Sequence, residues 1–186
     1  MDINQLISSR YSVRDFRPEP IPDEILQEIL EAGRLAPSAQ NRQPWRYIVF
    51  NDPQDIRILT QKTGLIGLSN FFIKDAPVVI VACADLKKNV RINDKDYYLV
   101  DTAISFQQMM LTAWHHGIGS CWMAAFSETL LAKHLQLPDS WKIVAISPFG
   151  YPKENKTIYS KFLSAMSKSK DRQPIEQMVQ YWKERN

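Results

Sequence analysis

Two apolar runs limit the folds open to this chain more strictly than any other feature of its sequence. Residues 76–84 contain no charged side chain, and residues 142–146 form a second run shortly before Pro148 and Gly150. Runs of this length are typical of strands buried on both faces, because successive side chains of a strand point to opposite sides of its sheet. We therefore predict two central strands in a sheet that is covered on both faces.

Helix signals lie on either side of the first apolar run. In residues 22–36, apolar side chains recur on one helical stripe. Residues 97–116 carry apolar side chains at helical intervals, with no Gly or Pro until Gly117, a natural helix terminator. The β-branched and aromatic residues 45–50 predict a further strand. These elements predict one α+β domain over the whole chain, and they leave the direction of strand pairing open.

The composition excludes several classes of function. A formal net charge of +3 on 186 residues is too small to indicate nucleic-acid binding. Both cysteines, Cys83 and Cys121, stand in apolar stretches where a thiol packs as a small hydrophobe, so we predict a reduced, cytoplasmic protein. No segment approaches the roughly 20 apolar residues of a membrane helix, and the N-terminus lacks a leader pattern. We therefore expect no nucleic-acid partner and no membrane association.

The first candidate binding segment is ArgTyrSerValArg, residues 10–14, which we name the basic loop. Arg10 and Arg14 each offer several charge-assisted hydrogen bonds in a planar fork, and the Ser12 hydroxyl between them offers one more. This set of donors suits a phosphate group. The alternative is a solvated, basic entry to the first helix.

The second candidate segment is ProSerAlaGlnAsnArgGlnProTrp, residues 37–45, which we name the amide loop. Its small residues allow a flat polar ring to approach the backbone, and the Asn41 and Gln43 amides supply directional hydrogen bonds. An ordinary turn of the same composition is the alternative.

A third segment, residues 117–126, leads from the long predicted helix into a short predicted strand. Within it, the backbone amides of Ala124 and Ala125 can donate to a ligand atom. In the alternative interpretation this is a plain connection, in which Gly117 caps the helix and Trp122 fills the core.

The C-terminal part of the chain is polar and then weakly amphipathic over residues 174–183, so it packs poorly on its own. Lys170 and Arg172 in this tail add two cations that, together with the basic loop, would offset a dianionic phosphate. A solvated tail is the alternative.

Three other polar residues invite a functional interpretation. His115 and His116 end the long predicted helix beside Gly117, where a histidine interacts favourably with the helix dipole, so capping is expected. No metal site is predicted, because the two cysteines are far apart and His and carboxylates do not cluster. Asp101 begins an apolar helix face and can accept a hydrogen bond from a buried donor, for which a structural pairing is expected.

Taken together, four motifs resemble the flavin-dependent nitroreductases. They are ArgTyrSerValArgAspPhe, then ProSerAlaGlnAsnArgGlnProTrp, then AspThrAlaIleSerPheGlnGlnMetMetLeuThrAla running into GlyIleGlySerCysTrp, and finally a Lys-x-Arg near the C-terminus. Their order covers nearly the whole chain. The resemblance implies an α+β fold with a central, mostly antiparallel sheet surrounded by helices. It also implies a homodimer with FMN at the subunit interface, in which the tail from about residue 157 embraces the partner.

The resemblance further implies which residues contact the cofactor. The FMN phosphate and ribityl chain would be held by Arg10, Ser12, Arg14, Lys170 and Arg172, with backbone contacts from Tyr11. The isoalloxazine would be lined from the partner subunit by Pro37, Ser38, Ala39 and Asn41, with Asn41 and Gln43 near its polar edge. The central ring would be passed by Trp122, Met123, Ala124 and Ala125, with the amide of Ala124 or Ala125 donating to the flavin N5.

This chain departs from the family pattern in two places. Many relatives have an acidic residue followed by glycine where Ala124 and Ala125 stand, although a backbone donor survives any side chain. The linker 85–97 is also short beside those family members that insert helices there to cover the substrate pocket.

The activity that the resemblance implies needs no catalytic side chain, because the cofactor carries the redox chemistry. NAD(P)H would deliver hydride to the flavin N5, and a small electron-poor acceptor such as a nitroaromatic or a quinone would then take the same place, in a ping-pong cycle. The alternative is an FMN-binding carrier or sensor with little turnover. A third possibility is a protein that shares the fold but has lost flavin, against which the joint presence of the arginines, Asn41 and the tail cations argues.

Overall fold

The computed structural model describes residues 1–62, 68–155, 157, 160–161, 165 and 171–182. Helices and strands alternate irregularly along the chain, as expected for an α+β protein. The helices are α1 Ile3–Ser9, α2 Asp23–Arg34, α3 Pro53–Lys62, α4 Tyr97–His115, α5 Glu128–His134 and α6 Ile175–Met178. The strands are β1 Trp45–Phe50, β2 Val78–Asp85, β3 Arg91–Ile92, β4 Lys95–Asp96, β5 Gly119–Ser120 and β6 Trp141–Gly150.

The main sheet has the strand order β1-β2-β6-β5, and every neighbouring pair of strands is antiparallel. The two apolar runs of the sequence form its central strands, with Val81 opposite both Ile48 of β1 and Ile146 of β6. A parallel bridge from Ser12 to Ser120 attaches the N-terminal segment beyond β5. The predicted α+β fold with a mostly antiparallel sheet is thereby confirmed.

Helices cover both faces of this sheet. On one face, α3 and α5 pack over the odd-numbered residues of β2, from Val79 to Cys83. On the other face, α2 and α4 pack over the even-numbered residues, from Val78 to Ala82. The predicted burial of both faces is correct, and burial raises the pKa of the Cys83 thiol to about 12. That thiol is therefore protonated and packs as a hydrophobe.

Strand β6 continues through Pro148, whereas the sequence predicted a strand that ends before this proline. The Ile146 N–H donates to the Met123 carbonyl at 3.0 Å, so the nitrogen of Pro148, two residues on, faces the same side of β6. On that side the regular pairing is interrupted, since the Cys121 N–H donates to the Ser147 hydroxyl at 3.2 Å. Proline can occupy this position because no ladder hydrogen bond is required of its nitrogen.

The long helix α4 ends where the sequence predicts. Gly117 has a φ of 74°, in the left-handed region that favours glycine, and its N–H donates to the Trp114 carbonyl at 3.0 Å. His116 is the capping residue, and its Nε2 lies 2.8 Å from Glu28 Oε2 on α2. His116 thus occupies the capping position that was expected, and the contact with Glu28 also joins the two helices of one layer.

A short hairpin, β3 with β4, occupies the linker before α4. Asn93 and Asp94 form its turn with φ values of 50° and 57°, as a two-residue hairpin turn requires. The Asn89 side chain fixes the hairpin to the start of α4 by accepting from the Tyr98 N–H at 3.1 Å.

Within the described residues, no helix is both long and apolar enough to cross a membrane.

Candidate functional site

The basic loop lies along the outer edge of β5 and pairs with it. Its Val13 N–H donates to the Ser120 carbonyl at 3.0 Å, and Val13 itself is buried in the core. Because side chains alternate along extended backbone, Arg10, Ser12 and Arg14 share the side opposite to Val13. The predicted donors are therefore brought together by one short piece of extended chain.

The side chains of Arg10, Ser12 and Arg14 all affect the pKa of the Cys121 thiol. Burial raises the pKa of Cys121, while the charges of Arg14 and Arg10 and hydrogen bonding from Ser12 and Arg14 act in the opposite direction. Arg14 Nη1 is buried and has no hydrogen-bond partner within the described part of the chain. A buried guanidinium donor without an acceptor is costly, so this nitrogen is suited to an anionic ligand.

The chain after β6 returns to the basic loop and completes a cleft there. The Arg17 N–H donates to the Tyr151 carbonyl at 2.8 Å, and the Lys153 N–H donates to the Asp15 carbonyl at 3.1 Å. This pairing brings a second cation, Lys153, into the cleft beside Arg14, together with a buried hydroxyl, Ser160; the sequence prediction included neither residue. The cleft is lined by Tyr11, Ser12, Val13, Arg14, Asp15, Pro152, Lys153 and Ser160.

The one carboxylate among these lining residues is occupied by a different partner. Asp15 accepts from the Thr157 hydroxyl at 2.8 Å and from the Thr157 N–H at 3.2 Å. Tyr11 packs edge-on against Trp114 at 5.3 Å, and its pKa is raised by burial and by the charge of Asp15. The cleft therefore combines two cations, hydroxyl groups and a neutral phenol, a donor set that suits a phosphate.

The amide loop has a backbone conformation that most residues avoid. Gln40, Asn41 and Gln43 have φ values of 51°, 54° and 50°, although none is glycine. Hydrogen bonds within the loop hold this shape: the Asn41 N–H donates to the Ser38 carbonyl at 2.9 Å, and the Gln43 N–H donates to the Ser38 hydroxyl at 3.0 Å. The Gln43 Nε2 also donates to Asn41 Oδ1 at 2.9 Å, so the two predicted amides contact each other.

One long-range hydrogen bond fixes the amide loop to α4. Asp101 Oδ1 accepts from the Ala39 N–H at 2.9 Å, and Asp101 is only 2% exposed. The predicted pairing of Asp101 with a protein donor is confirmed. Its second oxygen, Oδ2, is buried and has no partner among the residues that the structure describes.

The segment Trp122–Ala125 crosses from β5 towards the sheet surface. Met123 exchanges two backbone hydrogen bonds with Ile146, at 2.9 and 3.0 Å, while Ala124 and Ala125 are exposed. The Ala124 N–H has no acceptor among the described residues. Trp122 neither fills the core nor stands free, because it is 37% exposed and its ring lies 5.3 Å from that of Phe106.

The predicted site residues thus fall into two groups within one subunit. The basic loop and Trp122–Ala125 meet at β5, whereas the amide loop lies between α2 and β1 and is attached to α4. Arg172 is exposed and donates from Nη1 to the Asp171 carbonyl at 2.8 Å. Lys170 lies outside the described residues, so contact of the tail cations with the basic loop stays a prediction.

Fold and site together define an α+β protein with a cationic cleft at the edge of an antiparallel sheet, and the donors that line this cleft suit a phosphate group. The model of the nitroreductase family matches residues 7–151. The chain belongs to the nitroreductase family.

Known proteins agree with this assignment. The chain is 29% identical over 185 residues to an NADH dehydrogenase of Thermus thermophilus, with 83% of this chain and 88% of the relative covered. The crystal structure of a nitroreductase family protein from Clostridium difficile 630 has a TM-score of 0.80 and 28% identity, covering 97% and 98% of the two chains. An FMN-dependent nitroreductase from Clostridium difficile R20291 has a TM-score of 0.72 and 27% identity, covering 83% and 90%.

Proposed function

We propose that this chain is an FMN-dependent oxidoreductase that passes hydride from NAD(P)H to a small electron-poor acceptor, such as a nitroaromatic or a quinone. The observation that carries the proposal is the unpartnered, buried Arg14 Nη1 in the cationic cleft of a nitroreductase-family chain. The names of two similar proteins, an NADH dehydrogenase and an FMN-dependent nitroreductase, support the electron donor and the cofactor.

The basic loop and its surroundings would hold the FMN phosphate and ribityl chain. Arg10, Ser12 and Arg14 supply two cations and a hydroxyl from one side of the loop, with Tyr11 contributing backbone contacts. Lys153 adds a cation from the segment after β6. Lys170 and Arg172 are proposed as further phosphate contacts, on the strength of the family resemblance.

The ring of FMN would lie against the amide loop of the partner subunit, near Pro37, Ser38, Ala39, Asn41 and Gln43. Because the Ala39 N–H is already bonded to Asp101, Ala39 would contact the ring through its methyl group or carbonyl. The hydrogen bond between Asn41 and Gln43 restrains both side chains. Their remaining polar atoms would then point in a fixed direction towards the edge of the ring.

The segment Trp122–Ala125 would place a backbone donor beside the flavin N5. Ala124 is the better candidate for this donor, because it is exposed and its N–H has no acceptor in the described part of the chain. A fixed backbone dipole stabilises charge that develops at a nearby atom without reorganising. FMN, when bound, would supply the hydride transfer at N5. The short hairpin β3–β4 occupies the place at which, by the family resemblance, some members insert covering helices.

An anaerobic spectral titration tests the proposed function. Purified protein should show a stoichiometric FMN spectrum that bleaches promptly when NADH or NADPH is added, and that returns when a nitroaromatic or a quinone follows. A bound flavin that stays oxidised with both nicotinamides would favour the FMN carrier or sensor instead. Absence of flavin even after reconstitution with FMN would contradict both.

A homodimer is part of this proposal, and the exposed apolar residues support it. The face of α4 opposite the core exposes Val100 and Ile104, and α1, which contacts α4, exposes Ile3 and Ile7. Exposed apolar side chains of this kind are a common feature of protein interfaces. We propose that this surface meets its counterpart in a second copy of the chain.

Exchange of the C-terminal tail is proposed on a second observation. Every residue from 171 to 182 is exposed. This segment nevertheless contains several large apolar side chains, namely Ile175, Met178, Val179, Tyr181 and Trp182. Their exposure is explained if the tail of this single-domain chain embraces the partner subunit. The buried cysteines fit the predicted cytoplasmic location, which stays a prediction.

The Ile104→Glu variant should convert the dimer into a monomer that no longer retains FMN, because a charge would be buried in the apolar interface. Sedimentation equilibrium with flavin absorbance measures both effects. Leu130→Glu is the matched control, because Leu130 is 51% exposed on α5, which covers the other face of the sheet. A variant that stays a dimer, or equal loss from both variants, would contradict the proposed interface, and a monomer that keeps its flavin would contradict the placement of FMN between the subunits.

A further inference from the structure

We propose that Asp101 is a positioning residue for the amide loop and that, in the dimer, it acts on the flavin held by the basic loop of the partner subunit. This inference rests on the proposed function, since it takes the amide loop as the lining of a flavin ring. Asp101 would not touch the reacting atoms. It would act through Ala39, whose N–H it holds at 2.9 Å.

The amide loop needs such an anchor because its backbone is strained. Three non-glycine residues within four positions have φ near 50°. Each such residue costs on the order of 1 kcal/mol or more, so the conformation persists only where surrounding contacts fix it. The hydrogen bonds that Ser38 accepts lie within the loop and fix its internal shape only. The hydrogen bond that Asp101 accepts joins residues 62 positions apart and fixes the location of the loop on α4.

The burial of Asp101 indicates that this anchor has a cost. A carboxylate that is 2% exposed gives up most of its hydration, and its Oδ2 has no protein donor among the described residues to replace it. An apolar residue of similar size would avoid that cost but could not accept from Ala39. We therefore explain the carboxylate of Asp101 by its hydrogen bond with the Ala39 N–H, and not by a contribution to the stability of the core.

The position of Asp101 on α4 explains why its effect should cross the interface. Val100 and Ile104, on either side of it in sequence, are exposed on the proposed dimer surface, whereas Asp101 faces inward to the amide loop. One rigid helix thus carries both the contact with the partner and the anchor of the loop. The loop would be positioned against the partner's flavin rather than against the flavin bound by its own Arg14.

Hydrogen exchange on the protein without flavin tests the anchor by itself. In Asp101→Ala the Ala39 amide should exchange about tenfold faster or more than in the wild type, as expected when a hydrogen bond worth over 1 kcal/mol is lost. Asp101→Asn keeps a carbonyl oxygen that can accept from Ala39, so it should stay within about threefold of the wild type. Asp139→Ala, at an exposed aspartate, is the matched control. Unchanged exchange in Asp101→Ala would overturn the positioning role, whether or not the chain binds flavin.

A mixed dimer tests whether the effect reaches the partner's flavin. One subunit carries Arg14→Ala and the other Asp101→Ala, with different affinity tags for sequential purification. If Asp101 acts across the interface, the intact basic loop of one subunit meets the intact amide loop of the other, and the mixed dimer binds one FMN with wild-type affinity. Each variant homodimer should lack a wild-type site, and the FMN Kd of the Asp101→Ala homodimer should rise about tenfold or more.

The outcomes separate this inference from the proposed function. No wild-type site in the mixed dimer would mean that Asp101 acts on the flavin of its own subunit, and the inference across the interface would be wrong. A wild-type FMN Kd and an unshifted flavin spectrum in the Asp101→Ala homodimer would remove its link to the cofactor altogether. Failure of the wild-type protein to bind FMN would contradict the proposed function, while the exchange measurement would still decide the anchor.

Discussion

The Arg14→Ala variant should be purified without flavin, and its Kd for added FMN should exceed that of the wild type more than a hundredfold. Arg14 is half-buried beside Ser12 and Cys121, and its Nη1 has no acceptor within the described residues. A buried, charge-assisted contact of this kind typically contributes about 3 kcal/mol when the partner is an anion. Titration of FMN fluorescence against the apoprotein measures the Kd.

Two controls show whether the loss is specific to the phosphate. Arg17→Ala removes an arginine three residues away that pairs with Glu19 at 3.1 Å and lies over the Tyr151 ring, so FMN binding should stay normal. Lumichrome, which lacks the ribityl phosphate, should bind equally to wild type and Arg14→Ala.

The Arg10→Ala, Arg172→Ala double variant should also release FMN, and a fully yellow preparation of it would contradict the phosphate assignment.

The strands could be predicted because the pattern of apolar side chains along a strand indicates which of its faces are buried. The run in residues 76–84 is apolar at every position since both faces of β2 are covered, and β1 was found at Trp45–Phe50 as predicted. The extension of β6 through Pro148 was missed. Proline is not expected in a central strand, and the sequence around Pro148 does not indicate that the pairing of β6 with the segment at Cys121 is irregular. Such an exception depends on Cys121, which is distant in sequence.

The elements absent from the sequence prediction are short or depend on their caps. Helix α1 begins with a capping box between Asp2 and Gln5, and α3 begins after Asp52, whose side chain accepts from the Gln54 N–H at 2.7 Å. These signals were present in the sequence. They carry little weight without tertiary contacts, because helices of this length are marginal on their own.

The candidate site was predictable where one local segment supplies it. Arg10, Ser12 and Arg14 needed only extended backbone to share one side. Lys153 was missed because it reaches the cleft through pairing of the segments around Asp15 and Tyr151, which are far apart in sequence. The amide loop belongs to a site that takes shape only between two subunits in the proposed dimer, so no pattern within one chain specifies its distance from the flavin.

The Phe106→Ala variant should lower the free energy of unfolding by about 3–5 kcal/mol, because truncating a buried aromatic side chain removes its transfer energy and leaves a cavity. Phe106 is fully buried on α4, where its ring lies 5.9 Å from Tyr47, 6.1 Å from Phe149 and 5.3 Å from Trp122. A loss of this size is a large share of the stability of an ordinary domain, roughly 5–15 kcal/mol. Urea unfolding at a fixed subunit concentration measures it, since a dimer unfolds in a concentration-dependent way.

The same variant should also weaken FMN binding, although Phe106 is not expected to touch the cofactor. Its ring supports Trp122, two residues before the proposed N5 donor Ala124, so the cavity would allow that segment to move. Leu130→Ala, at an exposed position on α5, should change the unfolding free energy by no more than about 0.5 kcal/mol and leave the FMN Kd unaltered. A destabilised Phe106→Ala protein that keeps the wild-type Kd at a temperature where it is folded would show that Trp122 does not position the donor segment.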